Sequence, residues 1–152
     1  MQNGPQMSRA MYQKFFKPRP AKMWRRAKEL APVKVMLHCC GGYAPLLPAM
    51  IEVGLDAVHA VQPSCRGMDL RKLKADFGDR MVFNGAIDSH HVLIDGTPDL
   101  VRRRTREVLE IMMPGGGYIA GASHDYILEE TPVENVVAMF DTVEEYGRYN
   151  RP

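Results

Sequence analysis

Four short segments carry side chains able to do chemistry: His38-Cys39-Cys40-Gly41-Gly42, Gln62-Pro63-Ser64-Cys65, Asn84-Gly85-Ala86-Ile87-Asp88 and Gly121-Ala122-Ser123-His124-Asp125. Each follows a short apolar run. His38 and Cys40 are two residues apart, so a strand continuing that far points both to one face and Cys39 to the other. An imidazole and a thiolate so placed are suitable zinc ligands, or else a packed histidine beside a buried free thiol. The same alternation puts Val82, Asn84, Ala86 and Asp88 on one side. Asp88 then holds a ligand cation, bonds ring N–H groups, or caps the following loop. His124 is a proton donor or carboxylate partner, or a loop histidine bonded to backbone. Gln62, Asn84 and Ser123 are the polar groups placed to touch a substrate. His59, inside a strand, reads as core, and His90 and His91 as solvated. Arg102, Arg103, Arg104 and Arg106, with Glu107 and Glu110, read as a solvated helix face.

The elements that position these groups alternate strand then helix. A helix starts at Ser8 as N-cap and runs to about Lys17; Pro18 and Pro20 break or kink it, and Ala21 to Leu30 resumes it. Strands are expected at Val33–Leu37, Ala57–Val61, Met81–Gly85 and Tyr118–Ala120. Helices follow from Ala44 to Val53, from an Asp69 cap to Phe77, and from a Thr97 cap with Pro98 to Met113. The last, from a Thr131-Pro132-Val133-Glu134 capping box, runs to about Tyr146. Asp88 to Gly96 reads as a long loop. Four such units imply a parallel sheet with crossover helices, in which ligand groups collect at the strand C-termini. An eight-stranded barrel needs roughly 200 residues or more. The 152 residues therefore supply about half of one, as a single domain over 1–150.

Composition narrows the function classes. Lys plus Arg total 20 and Asp plus Glu 18, a net charge of +2, which argues against a nucleic-acid partner or an anionic membrane surface. No apolar run approaches the ~18 residues of a membrane span, and the first residues lack the apolar core of a secretory signal. Three cysteines, two of them adjacent, argue against a disulfide framework and for a reducing cytoplasm.

The ordered set of landmarks resembles the C-terminal half of the uroporphyrinogen decarboxylase superfamily, which includes the cobamide-dependent methyltransferases. The landmarks are Met7-Ser8 with Phe15-Phe16-Lys17-Pro18-Arg19, His38-Cys39-Cys40-Gly41, Val61-Gln62-Pro63-Ser64 with Gly67-Met68-Asp69, and Gly85-Ala86-Ile87-Asp88. Gly115-Gly116-Gly117-Tyr118-Ile119 and Ser123-His124 with Thr131-Pro132-Val133-Glu134-Asn135-Val136 complete them. The resemblance implies a (β/α)8 barrel with its site at the C-terminal mouth. For the decarboxylase branch it implies cofactor-free removal of tetrapyrrole acetate carboxyl groups in porphyrin biosynthesis, a lyase reaction, with His124 matching the histidine of the last loop. Asp88 is not that branch's central aspartate, which lies with its substrate-gripping arginines in the N-terminal half. For the methyltransferase branch it implies zinc on a His-x-Cys pair plus a later Cys, working with a corrinoid protein and a methyl donor. His38 and Cys40 match the pair. The later Cys is replaced by the Ala122-Ser123-His124 stretch; Cys65, at another strand end, is a substitute ligand read from its position and not implied by the resemblance. The expected partners are a small-molecule substrate and either a second copy or a complementing N-terminal half. The isolated half-barrel is expected to be inactive, and a non-catalytic fragment is the third reading.

Overall fold

A computed structural model describes residues 1–149; Asn150, the last residue of the expected domain, lies outside the described residues. Four strands, β1 (Met36–His38), β2 (Ala57–Val61), β3 (Val82–Ile87) and β4 (Tyr118–Ala122), form one parallel sheet in chain order. The helices are α1 (Arg9–Met11), α2 (Pro18–Leu30), α3 (Leu47–Glu52), α4 (Leu70–Phe77), α5 (Pro98–Met112) and α6 (Val133–Tyr146). This α/β alternation is a partial TIM-barrel-like arrangement, as the spacing of the units implies.

The parallel register puts Leu37, Val58, Phe83 and Tyr118 in one row of the sheet. Val58, Phe83 and Tyr118 are buried with Leu73, Val101, Met112 and Met139 from the helices, which makes the core. The opposite face carries Met36, His38, His59, Asn84 and Ile119, and it is largely open: Met36 and Ile119 are 48% and 46% exposed. Strands β1 and β4 are the sheet's edges.

Several boundaries differ from expectation for local reasons. Strand β1 begins at Met36, not Val33, because the side chain and backbone of Asp56 occupy Val35: Oδ2 accepts from the Val35 N–H at 2.7 Å, and the Asp56 N–H donates to the Val35 carbonyl at 3.0 Å. Pro18 and Pro20 do not interrupt a helix but sit in the first turn of α2, where a missing N–H costs little. The stretch before them is α1, capped by Ser8 as expected, followed by a π-helical turn over Tyr12–Phe16. The expected loop after Asp88 is a π-helical turn, Ser89–Ile94. Thr131 does not cap α6; Pro132 is the cap residue, with no side-chain bond.

Strand β3 does not alternate to its end. Gly85 has φ +109°, and a Cβ there would lie 3.0 Å from the Ala122 carbonyl oxygen and 3.1 Å from the Val61 nitrogen, so only glycine fits. Ala86 follows at φ +74° and is fully buried, so the expected row of Asn84, Ala86 and Asp88 is broken after Asn84. The two ends of the described chain are also tied down. The Gly42 N–H donates to the Met1 carbonyl at 3.0 Å, and the Tyr149 hydroxyl donates to the Tyr118 carbonyl at 3.0 Å.

Candidate functional site

His38 ends β1, Cys40 follows it, Asp88 follows β3, and His124 follows β4, so all four lie at the C-terminal end of the sheet. The segments treat their polar groups differently. At the β1–β2 end, His38 and His59 are paired in register, which brings their side chains to the same open face. Their rings are 5.0 Å apart between centroids, with Nδ1 3.0 Å from Nδ1. Asp125, from the loop after β4, reaches across the sheet and places Oδ1 3.7 Å from His38 Nδ1 and 3.6 Å from His59 Nδ1. The other ring nitrogen of His38 faces Cys40, with Nε2 3.2 Å from Sγ. The expected convergence of His38 and Cys40 is therefore present. Cys39 turns the other way, against the core, where burial and then the neighbouring Cys40 push its thiol pKa up.

His59 corrects the expectation of a core histidine. It is half-buried on the open face, because the strand register, rather than its position within the strand, decides which face it shares. Asp125 stands in one of the four strand-end segments, but its type and spacing give it no partner there. The signal for His59 is its in-register pairing with a histidine one strand earlier.

At the β3–β4 end Asp88, Ser123 and Asn84 are committed to backbone, and His124 is not. Asp88 Oδ1 accepts from the His90 and His91 N–H groups, both at 2.9 Å, and so caps the π-helical turn. Of the roles open to it, this is the one whose contacts are present. Ser123 is buried; its Oγ accepts from the Ser89 N–H at 3.0 Å and lies 3.3 Å from Ser89 Oγ. Asn84 donates from Nδ2 to the Ile119 carbonyl at 3.2 Å, so it bridges β3 to β4 on the open face. Asn135 of α6, present in the last landmark but given no role by it, is buried and donates to the Leu93 and Gly96 carbonyls at 2.9 and 2.8 Å. His124 is half-buried, edge-on to Tyr126 at 4.8 Å, with its Nδ1 buried and without a hydrogen-bond partner.

Gln62 and Cys65 form a third group. Gln62 Oε1 accepts from the Gly41 N–H at 2.6 Å and, at 3.6 Å, from the Cys65 thiol. Gln62 thus holds the turn after β1. Cys65 is buried, and that burial pushes its thiol pKa up. His90 and His91 are solvated, and Arg104 and Arg106 pair with Glu107 and Glu110 on the outer face of α5, both as expected.

Among the described residues, the His, Cys, Asp and Glu atoms that close in as a group of three are those of His38, His59 and Asp125, all within 4.8 Å of one another. Neither Cys40 nor Cys65 belongs to it. The open hollows of about 580 and 570 Å³ lie on the helix side, along α2 and along α5, and hold none of these residues. An apolar hollow of about 210 Å³ beside the β1 end is lined by Met7, Tyr12, Cys39, Cys40, Tyr43 and Met50 among others. No described helix is long and apolar enough to cross a membrane.

Comparison with known proteins places these features. A family model, "Uroporphyrinogen decarboxylase (URO-D)", matches residues 2–146. A uroporphyrinogen decarboxylase of Azoarcus sp. (strain BH72) is 29% identical over 102 residues, covering 67% of this chain and 26% of that protein. A uroporphyrinogen decarboxylase of Nostoc punctiforme is 26% identical over 142 residues, covering 92% of this chain and 37% of that protein. In structure, a methyltransferase from Methanosarcina mazei superposes with a TM-score of 0.69 at 26% identity, covering 93% of this chain and 39% of that one. The chain spans about a quarter to two-fifths of the lengths of these relatives.

Proposed function

Since the chain belongs to the uroporphyrinogen decarboxylase family, we propose that it forms the C-terminal part of a decarboxylase barrel acting on tetrapyrrole acetate side chains in the cytoplasm. The observation that carries this reading is His124. It is a strand-end imidazole with a buried, unpartnered Nδ1, in a chain whose curated relatives are uroporphyrinogen decarboxylases. Loss of CO2 from an acetate group leaves the bonding electron pair on the methylene carbon, conjugated with the pyrrole ring. A proton must then be delivered to that carbon to give the methyl product. An imidazole titrates near neutrality and is suited to that delivery. His124 is the donor in this reading; Asp88 and Gln62 position the loops around it; Asn84, on the open face, and Ser123, behind the rim, keep β3 and β4 in register beneath the substrate. The reaction needs no cofactor.

A barrel of this kind needs its remaining strands, so the partner is a complementing N-terminal half, or a second copy, that covers the open face. The test is an anaerobic assay of coproporphyrinogen formation by the chain alone and joined with an N-terminal half from the family. The joined protein is expected to turn over, the chain alone to be inactive, and His124→Gln to lower kcat by about 10²–10⁴-fold. A folded, joined protein with no turnover, or a His124→Gln variant of unchanged kcat, overturns the reading.

The methyltransferase neighbour and the 3.2 Å contact between His38 Nε2 and Cys40 Sγ favour a second reading, thiol methyl transfer with a corrinoid partner. That branch implies zinc. The expected His38, Cys40 and Cys65 set does not fit it: Cys65 is turned to Gln62, and the three do not close as a group. Methylation of a thiol by the joined protein, in place of decarboxylation, would select this reading.

A further inference from the structure

The mismatch between the expected sulfur ligands and the residues that do converge has a positive side. We infer that His38, His59 and Asp125 form a binding site for one divalent metal ion of the zinc class, with Cys40 outside the coordination sphere. This inference does not rest on either proposed reaction.

The donor set is the first support. Two imidazole nitrogens and a carboxylate oxygen suit zinc and its first-row neighbours. Geometry is the second. Ligand atoms about 2.0–2.1 Å from a single ion lie roughly 3.0–3.4 Å from one another. The three atoms here are separated by 3.0, 3.6 and 3.7 Å, a triangle that needs only a few tenths of an ångström of closure. The third support is how the site is held. His38 and His59 stand on neighbouring strands in register, so the backbone fixes their spacing, and Asp125 closes the site from a loop.

The fourth support assigns Cys40 a different part. A histidine that ligates through one ring nitrogen commonly donates its other ring N–H to an acceptor, which fixes tautomer and orientation. With Nδ1 on the ion, the Nε2–H of His38 points at Cys40 Sγ, 3.2 Å away. In this conformation the sulfur faces the opposite edge of the ring from the ion. Three protein ligands leave at least one coordination position for water or an anionic ligand. That position opens on the face carrying Asn84 and Ile119.

The test strips purified protein with a chelator, then titrates it with zinc and with cobalt(II), reading stoichiometry by calorimetry and the cobalt spectrum by absorption. One equivalent is expected to bind, with cobalt d–d bands and no sulfur-to-cobalt charge-transfer band. His59→Asn and Asp125→Asn are each expected to weaken binding at least about 10-fold. Cys40→Ser is expected to stay within about 3-fold of wild type, since the serine hydroxyl still offers an acceptor to the His38 Nε2–H. Circular dichroism of each variant separates lost ligation from lost folding. A charge-transfer band that disappears in Cys40→Ser, or zinc affinity unchanged in folded His59→Asn, overturns the assignment. Binding no tighter than that of a folded His38→Asn variant overturns it as well. Activity plays no part in these readouts, so failure of the metal site and failure of the decarboxylase reading are seen separately.

Discussion

The two ends of the rim are built from similar residue types and use them in opposite ways. At the β3–β4 end, a carboxylate oxygen of Asp88 and the hydroxyl of Ser123 accept from backbone N–H groups, and the amide nitrogen of Asn135 donates to backbone carbonyls of neighbouring segments. At the β1–β2 end, His38, His59 and Asp125 face one another rather than the backbone, on an uncovered part of the sheet. A strand-end position therefore does not by itself make a group reactive. What separates the two ends is whether the backbone has already taken up the side chain's hydrogen-bonding capacity. His124 apart, whose Nδ1 has no partner, the first end is a fastening and the second is available for a ligand.

Removing Asn135 should expose the contrast most strongly. Asn135→Leu leaves the Leu93 and Gly96 carbonyls without their partner in a buried setting, and unfolding in urea should show a loss of about 2–4 kcal/mol. A loss below about 0.5 kcal/mol would remove α6 from the fastening. Asp88→Ala should cost less, about 1–2 kcal/mol, the usual worth of a capping oxygen that satisfies first-turn N–H groups. It should also speed hydrogen exchange at His90 and His91 in particular.

Asp56 sharpens the comparison, because it lies at the opposite end of the β1–β2 pair. Its carboxylate accepts from Lys28 and from the Val35 N–H, with Lys34 nearby. Burial acts to raise its pKa, but the Lys28 bond, the Val35 N–H and the two ammonium charges together hold it below the usual carboxylate value. A lowered folded-state pKa means that this stabilisation is complete above the unfolded value of about 4 and is lost as pH falls through the folded one. Asp56→Asn should cost about 1–2 kcal/mol at neutral pH and flatten the acid limb of stability against pH. An unchanged acid limb would detach Asp56 from it. The smallest effect belongs to the ligand end: His59→Asn in metal-free protein should change stability by no more than about 0.5 kcal/mol. A loss as large as that of Asn135→Leu would make His59 a fastening too, and the contrast between the ends would collapse.

The fold was legible in the sequence because its signals are local. Short apolar runs marked all four strands, and Ser8, Asp69 and Thr97 capped helices as their types require. The site was legible in part. Two-residue spacing was enough to join His38 and Cys40. It was not enough for His59, whose face depends on its pairing with another strand, or for Asp125, which arrives from a loop some 65 residues further along the chain. Alternation also failed at Ala86, where the left-handed Gly85 turns the chain before Asp88. Spacing reports direction only while the strand stays regular.

The anchoring of the two chain ends bears on how this protein can be handled. The main-chain oxygen of Met1 is tied to Gly42, in the turn just beyond β1, whereas Tyr149 is tied to the first residue of β4, at the far end of the sheet. A purification tag or surface tether added before Met1 therefore emerges beside the histidines, and a polyhistidine tag placed there would compete for the metal being measured. Immobilisation through a side chain near Tyr149, whose hydroxyl is held at the end of the sheet away from the histidines, presents the open mouth to solution.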